Sequence, residues 1–153
     1  MGADDKPPSF VLFACGLNSL RSPMAARLFG HLIGPSVPVC SAGVQTADLD
    51  PFAVAAMAEI GLDIGDHQPV TFEELEDLEG LDFDLIVTLS PTAHHKALEL
   101  THRLSAAVEY WPTADPSVIE GSREQRMQGY RELREQLAKR ILDRFGPGHN
   151  HNN

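Results

Sequence analysis

Residues 10–14, FVLFA, form a short unbroken apolar run behind a Pro-Pro-Ser break, the pattern of a strand buried on both faces. After CGLNSLRSP, Met24, Leu28 and Leu32 recur at every fourth position. That spacing predicts a helix with Pro23 in its first turn and Gly34-Pro35 as its stop. Residues 37–42, VPVCSA, read as a second strand closed by Gly43. Asp50-Pro51 opens a helix running to about residue 60, with Gly61 as its punctuation. Residues 83–89, FDLIVTL, predict a third strand, residues 92–99 a short helix, and residues 106–111, AAVEYW, a fourth strand. The last helix starts at the N-cap Ser122, with Gln125 placed to complete a capping box. Its apolar stripe is Met127, Tyr130, Leu133, Leu137 and Ile141. The acidic stretch 73–84 reads as a solvated helix and loop. Strands alternating with helices predict an α/β fold with a parallel sheet and right-handed crossovers.

At 153 residues the chain fits one domain, placed over 9–146 between a flexible N-terminus (1–8) and a disordered tail (147–153). Its 42% hydrophobic and 22% charged residues are those of a globular protein, which excludes disordered, collagen-like and disulfide-stapled classes. A net charge of −10 argues against nucleic acid or an anionic membrane as partner. No apolar run approaches the ~20 residues of a membrane span. The opening MGADDKPPS lacks the apolar segment of a secretory signal, and Lys6 breaks a myristoylation pattern. The expected location is therefore the cytoplasm, with Cys15 and Cys40 as free thiols. Cys40 reads as a packed core thiol, and Tyr110 and Trp111 as core or strand-end packing, with Trp111 the better candidate for a cleft because Asp115 is four residues away. His94, His95 and His102 lack zinc spacing, and no metal or cofactor is expected.

The segment between the first strand and first helix carries the chemistry. Ligands of open parallel sheets bind at the carboxyl ends of strands, and a helix N-terminus offers unpaired N–H groups and a favourable dipole to an anion. Five residues separate Cys15 from Arg21, enough to wrap the backbone of Gly16, Leu17, Asn18, Ser19 and Leu20, with Arg21 and Ser22, around a tetrahedral oxyanion. Arg21 would offer a bidentate fork. Cys15 would sit at the base of the cup, where positive potential favours a nucleophilic thiolate, and Ser22 could hydrogen-bond its sulfur. Asn18 is a residue that tolerates a left-handed backbone. A lone cysteine at a strand end is more often a small buried hydrophobe. Asp115-Pro116, just past the fourth strand, changes that balance: it sets a carboxylic acid, able to protonate a leaving oxygen, at the same sheet edge.

FVLFACGLNSLRSPMAARLF, VCSAG and the later Asp-Pro together resemble the low-molecular-weight protein tyrosine phosphatase family, whose fold is shared by a class of arsenate reductases. The resemblance covers residues 10–145. It implies a three-layer α/β/α sandwich around a four-stranded parallel sheet. It also implies a nucleophilic Cys15, a phosphate clamp at Arg21, and Asp115 as general acid and then general base. Asn18, Ser22, Ser41 and His67 match the positions that hold the loop by hydrogen bonds. This chain departs from the family in having Leu20 where a second cysteine often stands, in the order Gly16-Leu17-Asn18, and in Ser117-Val118-Ile119-Glu120 where phosphatases carry aromatics.

The expectation is a metal-independent phosphomonoesterase acting on phosphotyrosine or small aryl phosphates through a cysteinyl-phosphate, and inhibited by oxyanions such as phosphate or vanadate. One alternative is an arsenate reductase. Reductases with an internal relay add a cysteine pair after the third strand, where this chain reads LSPTAHH, so the second thiol would come from glutathione or mycothiol with a redoxin. Another alternative is a non-catalytic phosphate-binding module.

Overall fold

A computed structural model describes residues 8–80, 82–102 and 104–147. Apart from Pro8 and Pro147, the terminal segments expected to be flexible lie outside the described residues. In chain order the elements are β1 (Val11–Cys15), α1 (Arg21–Ile33), β2 (Val39–Gly43), α2 (Pro51–Ala58), α3 (Phe72–Glu79), β3 (Leu85–Thr88), α4 (Pro91–Leu100), β4 (Ala107–Tyr110) and α5 (Arg123–Phe145). A single 3-10 turn, Pro116–Val118, precedes α5.

The four strands are all parallel, in the order β2-β1-β3-β4. The chain leaves β1 toward one edge to make β2 and returns to the other side for β3. The carboxyl end of β1 is thus the topological switch point, where such sheets bind ligands. Alternate strand residues feed two cores. Val11, Phe13, Cys15, Leu85 and Val87 pack under α1, α2 and α5. Leu12, Ala14, Ala42 and Ile86 pack under α3 and α4. Both faces are covered, which is why β1 reads as an unbroken apolar run and β3 as a mostly apolar one ending at the buried Thr88.

Local chemistry sets the ends. The Asp50 carboxylate accepts from Phe52 N and caps α2. That helix stops at Ala58, two residues short of the expected end, and a turn leads to Gly61 at φ +79°. Thr71 with Glu74, and Ser122 with Gln125, form reciprocal capping boxes on α3 and α5. Cys40 packs against the second core but is only half-buried, on the edge strand β2, so its core-thiol reading holds in part. Trp111 packs in the core as expected, edge-on to Phe13 at 5.9 Å, and takes no place in the cleft.

Candidate active site

The loop from Cys15 to Arg21 is built by giving every carbonyl an outside partner. The oxygens of Cys15, Gly16 and Leu17 accept from the N–H groups of Val44, Gln45 and Ala47. Asn18 O faces His67 Nε2, Ser19 O accepts from Asp50 N, and Leu20 O accepts from Met24 N as α1 begins. With its carbonyls turned outward, the loop presents its N–H side to the cavity it encloses. An anion is what such an edge binds. The 44–47 stretch that supplies three of these donors carries no signal in the sequence. Gly43 permits the approach: a Cβ there would lie 2.8 Å from Asn18 N and 3.0 Å from the Leu17 carbonyl carbon.

Asn18 has φ +53° and is buried beneath the loop. Its Oδ1 accepts from Val70 N at 2.9 Å, which fixes the amide orientation. Its Nδ2 then donates to Ser22 Oγ (2.8 Å) and Ser41 Oγ (3.0 Å). Ser22 receives that bond on its oxygen, so its hydroxyl proton is free to point at Cys15 Sγ, 3.0 Å away. His67 Nε2 lies 3.1 Å from both Asn18 O and Asn18 Oδ1. Both are acceptors, so Nε2 carries the proton. The structure thus brings Asn18, Ser22, Ser41 and His67 together around the loop.

Burial pushes the His67 imidazole below its ordinary pKa, opposed by the hydrogen bond to the Asn18 backbone. A histidine kept neutral in the fold contributes stability above its unfolded pKa of about 6.5, and that contribution is lost as pH falls, because the unfolded chain then binds more protons. We therefore expect acidification from pH 7 to pH 5 to lower the melting temperature more in the wild type than in His67→Gln. Parallel shifts in the two proteins would show that His67 is not a source of the acid sensitivity.

Cys15, at 3% exposure, lies at the bottom of a cavity of about 540 Å³. Gly16, Leu17, Ser19, Leu20 and Arg21 line it from the loop, while Asn18 and Ser22 support it from beneath. Arg21 Nη1 donates to Thr113 O at 2.8 Å, tying the guanidinium to the segment that carries Asp115. Asp115 also lines the cavity; its Oδ1 accepts from Ser117 N (2.9 Å) and Ser117 Oγ (2.6 Å), capping the 3-10 turn. The far wall holds residues the sequence did not single out for chemistry. Asp50 joins the cap of α2 to the Tyr130 hydroxyl at 2.6 Å, and Phe52 stands beneath the Arg126 guanidinium at 4.5 Å. Burial and Asp50 raise the Tyr130 hydroxyl above its ordinary pKa, so it stays a neutral donor. Asp50-Pro51 signalled a helix start and nothing more; its contact with Tyr130, eighty residues away, has no local signature.

A buried thiol, an arginine and a carboxylic acid share one cavity at the carboxyl edge of the parallel sheet of this α/β protein, an arrangement suited to an oxyanion. Residues 10–144 match the model of the low molecular weight phosphotyrosine protein phosphatase family, and the chain belongs to that family. The arsenate reductase of Shouchella clausii is 35% identical over 132 residues, covering 86% of this chain and 91% of that protein. The arsenate reductase of Bacillus subtilis is 30% identical over 134 residues, covering 87% and 92%. Among solved structures, an arsenate reductase in a phosphate-binding state superposes with a TM-score of 0.71 at 26% identity, covering 88% of this chain and 95% of its own. The low molecular weight protein tyrosine phosphatase of T. tengcongensis gives 0.69 at 25% identity, covering 86% and 94%. The family is one of enzymes and includes both activities. Among the described residues, no helix is long and apolar enough to cross a membrane.

Proposed function

We propose that this protein is an arsenate reductase in which Cys15 carries the arsenic and a separate molecule supplies the second thiol. The observation that carries this reading is its 35% identity to an arsenate reductase across 86% of the chain. This reverses the order expected from sequence, in which phosphomonoester hydrolysis came first.

Arsenate docks on the loop N–H groups and Arg21, and the Cys15 thiolate attacks arsenic(V). One arsenate oxygen leaves as water with a proton from Asp115, forming a Cys15 S–As(V) bond. An external thiolate then attacks the Cys15 sulfur. The S–As electron pair passes to arsenic, which departs as arsenite, As(III), and the two sulfurs join as a mixed disulfide. A redoxin dithiol reduces that disulfide and restores Cys15. A reducing cytoplasm supplies the thiols, and phosphate or vanadate competes for the cup.

A second reading, hydrolysis of aryl phosphates or phosphotyrosine through a cysteinyl-phosphate, is favoured by the cavity. Its roughly 540 Å³ is far more than an arsenate ion fills, and Leu17, Leu49 and Phe52 give it apolar walls. Here Asp115 protonates the leaving oxygen and then activates water. Both reactions should be measured on one preparation, with glutathione or mycothiol and the matching redoxin present for arsenate. Arsenate turnover is expected to exceed aryl phosphate turnover. Robust hydrolysis with no arsenite formed would install the second reading in its place.

A further inference from the structure

Asp115 sits on a connection that is fastened at three places. At its entry, Thr113 N and Thr113 Oγ1 both donate to Leu89 O (3.3 and 3.2 Å), and Arg21 donates to Thr113 O. At its centre, Ser117 holds the Asp115 carboxylate. Past its centre, the chain rests on α5 through apolar contact. A Cβ built on Gly129 would overlap Ile119 Cδ1 and stand 3.4 Å from Pro116 Cβ. Pro116 is buried, and Ile119, although exposed along one side, places its Cδ1 in the space the glycine leaves. Gly129 lies inside a 23-residue helix with a capping box at its start, where glycine is less favourable than alanine. No turn or positive φ calls for glycine there.

We propose that Gly129 is a positioning residue for the proton donor: the notch it leaves in α5 receives Ile119 and Pro116 and thereby sets where Asp115 stands in the cavity above Cys15. The inference rests on Asp115 as the acid, which both readings above require. Filling the notch lifts Pro116 and the adjoining Asp115 and leaves the loop from Cys15 to Ser22 untouched. Binding and turnover should separate accordingly. Proton donation matters most for leaving groups that depart poorly, and a misplacement of about 1 Å can cost on the order of 10²-fold.

The test compares Gly129→Ala, Gly129→Leu and Gly129→Ala/Ile119→Val with the wild type. Each is assayed on aryl phosphates of graded leaving-group ability and on arsenate with the external thiol. Gly129→Leu is expected to lower kcat by roughly 10-fold or more for poor leaving groups and for arsenate, whose departing group is water. Good leaving groups should be affected least, and inhibition by inorganic phosphate should stay at its wild-type strength. Gly129→Ala shows a smaller loss of the same shape, because the end of Ile119 can swing aside. Ile119→Val removes the Cδ1 atom that overlaps and restores Gly129→Ala, so the Ala and Val pair carries the test even if the leucine variant does not fold. Asp115→Asn, measured in the same series, separates two failures. A steep response of Asp115→Asn beside a flat response of the Gly129 variants overturns the positioning role alone. A flat response of Asp115→Asn removes Asp115 as the acid, and this inference with it. Weakened phosphate inhibition in step with turnover, or a loss that Ile119→Val does not relieve, would also overturn it.

Discussion

Cys15→Ser is expected to reduce both arsenate and aryl phosphate turnover to background while inorganic phosphate still binds. The two parts of that outcome have different physical origins. Turnover needs a sulfur nucleophile, and a serine hydroxyl at the cavity floor is a far weaker one near neutral pH. Binding needs the N–H side of the loop and Arg21. The loop is held open by outside partners on every carbonyl from Cys15 to Leu20 and by the Asn18 amide, none of which uses the sulfur. The substitution removes only the Ser22 contact at 3.0 Å. Calorimetric titration with phosphate should give an affinity within a few-fold of wild type. Turnover near the wild-type rate would eliminate Cys15 as nucleophile. Joint loss of turnover and phosphate binding would mean that the sulfur helps to shape the cup.

What could be read from the sequence follows the range of the interactions involved. β1 and β3 were legible because both faces are covered and nearly every residue is apolar, the buried Thr88 at the end of β3 being the exception. β4, at the sheet edge, has exposed ends and a shorter span than its apolar run suggested. Ser122 and Gln125 were legible as a cap because the partners lie three residues apart. That Cys15, Arg21 and Asp115 come together at one cavity was legible because their spacing after strands is itself the signal. The parts that hold the site in shape were not. The 44–47 stretch that supports the loop, Gly43 at its closest approach, Asp50 against Tyr130, and the Gly129 notch under Ile119 all join distant stretches of chain. A glycine in a helix reads locally as a weak helix former, and only the packed structure shows what the missing side chain makes room for. Trp111 was legible as packing; its nearness to Asp115 in sequence says nothing about which face of the sheet the ring takes.

Arsenate turnover is expected to be absent with a thioredoxin system alone and to appear only when a small-molecule thiol and its redoxin are added. The reason lies after β3. A relay cysteine has to reach Cys15 at the cavity floor, and a mobile segment would have to carry it. Here that stretch is a formed helix: Ser90 caps α4 by accepting from Ala93 N, and Ala93 and Ala97 are buried against the sheet. Thr92 is also close to the loop, since a Cβ on Gly16 would lie 3.5 Å from its hydroxyl. The chain's remaining cysteine, Cys40, stands within β2 opposite Leu12, three residues before the paired ends of Cys15 and Gly43. At a strand rise of about 3.3 Å per residue that leaves the two cysteines roughly 10 Å apart along the sheet. Disulfides require Cα atoms within about 7 Å. Peroxide should therefore inactivate the enzyme by oxidising Cys15 without producing an internal bond, which peptide mapping of the oxidised protein can establish. A mixed disulfide on Cys15, trapped with the external thiol during arsenate turnover, is the species this mechanism requires. Arsenite formation driven by thioredoxin alone, or a Cys15–Cys40 bridge in the map, would sink the external-thiol mechanism.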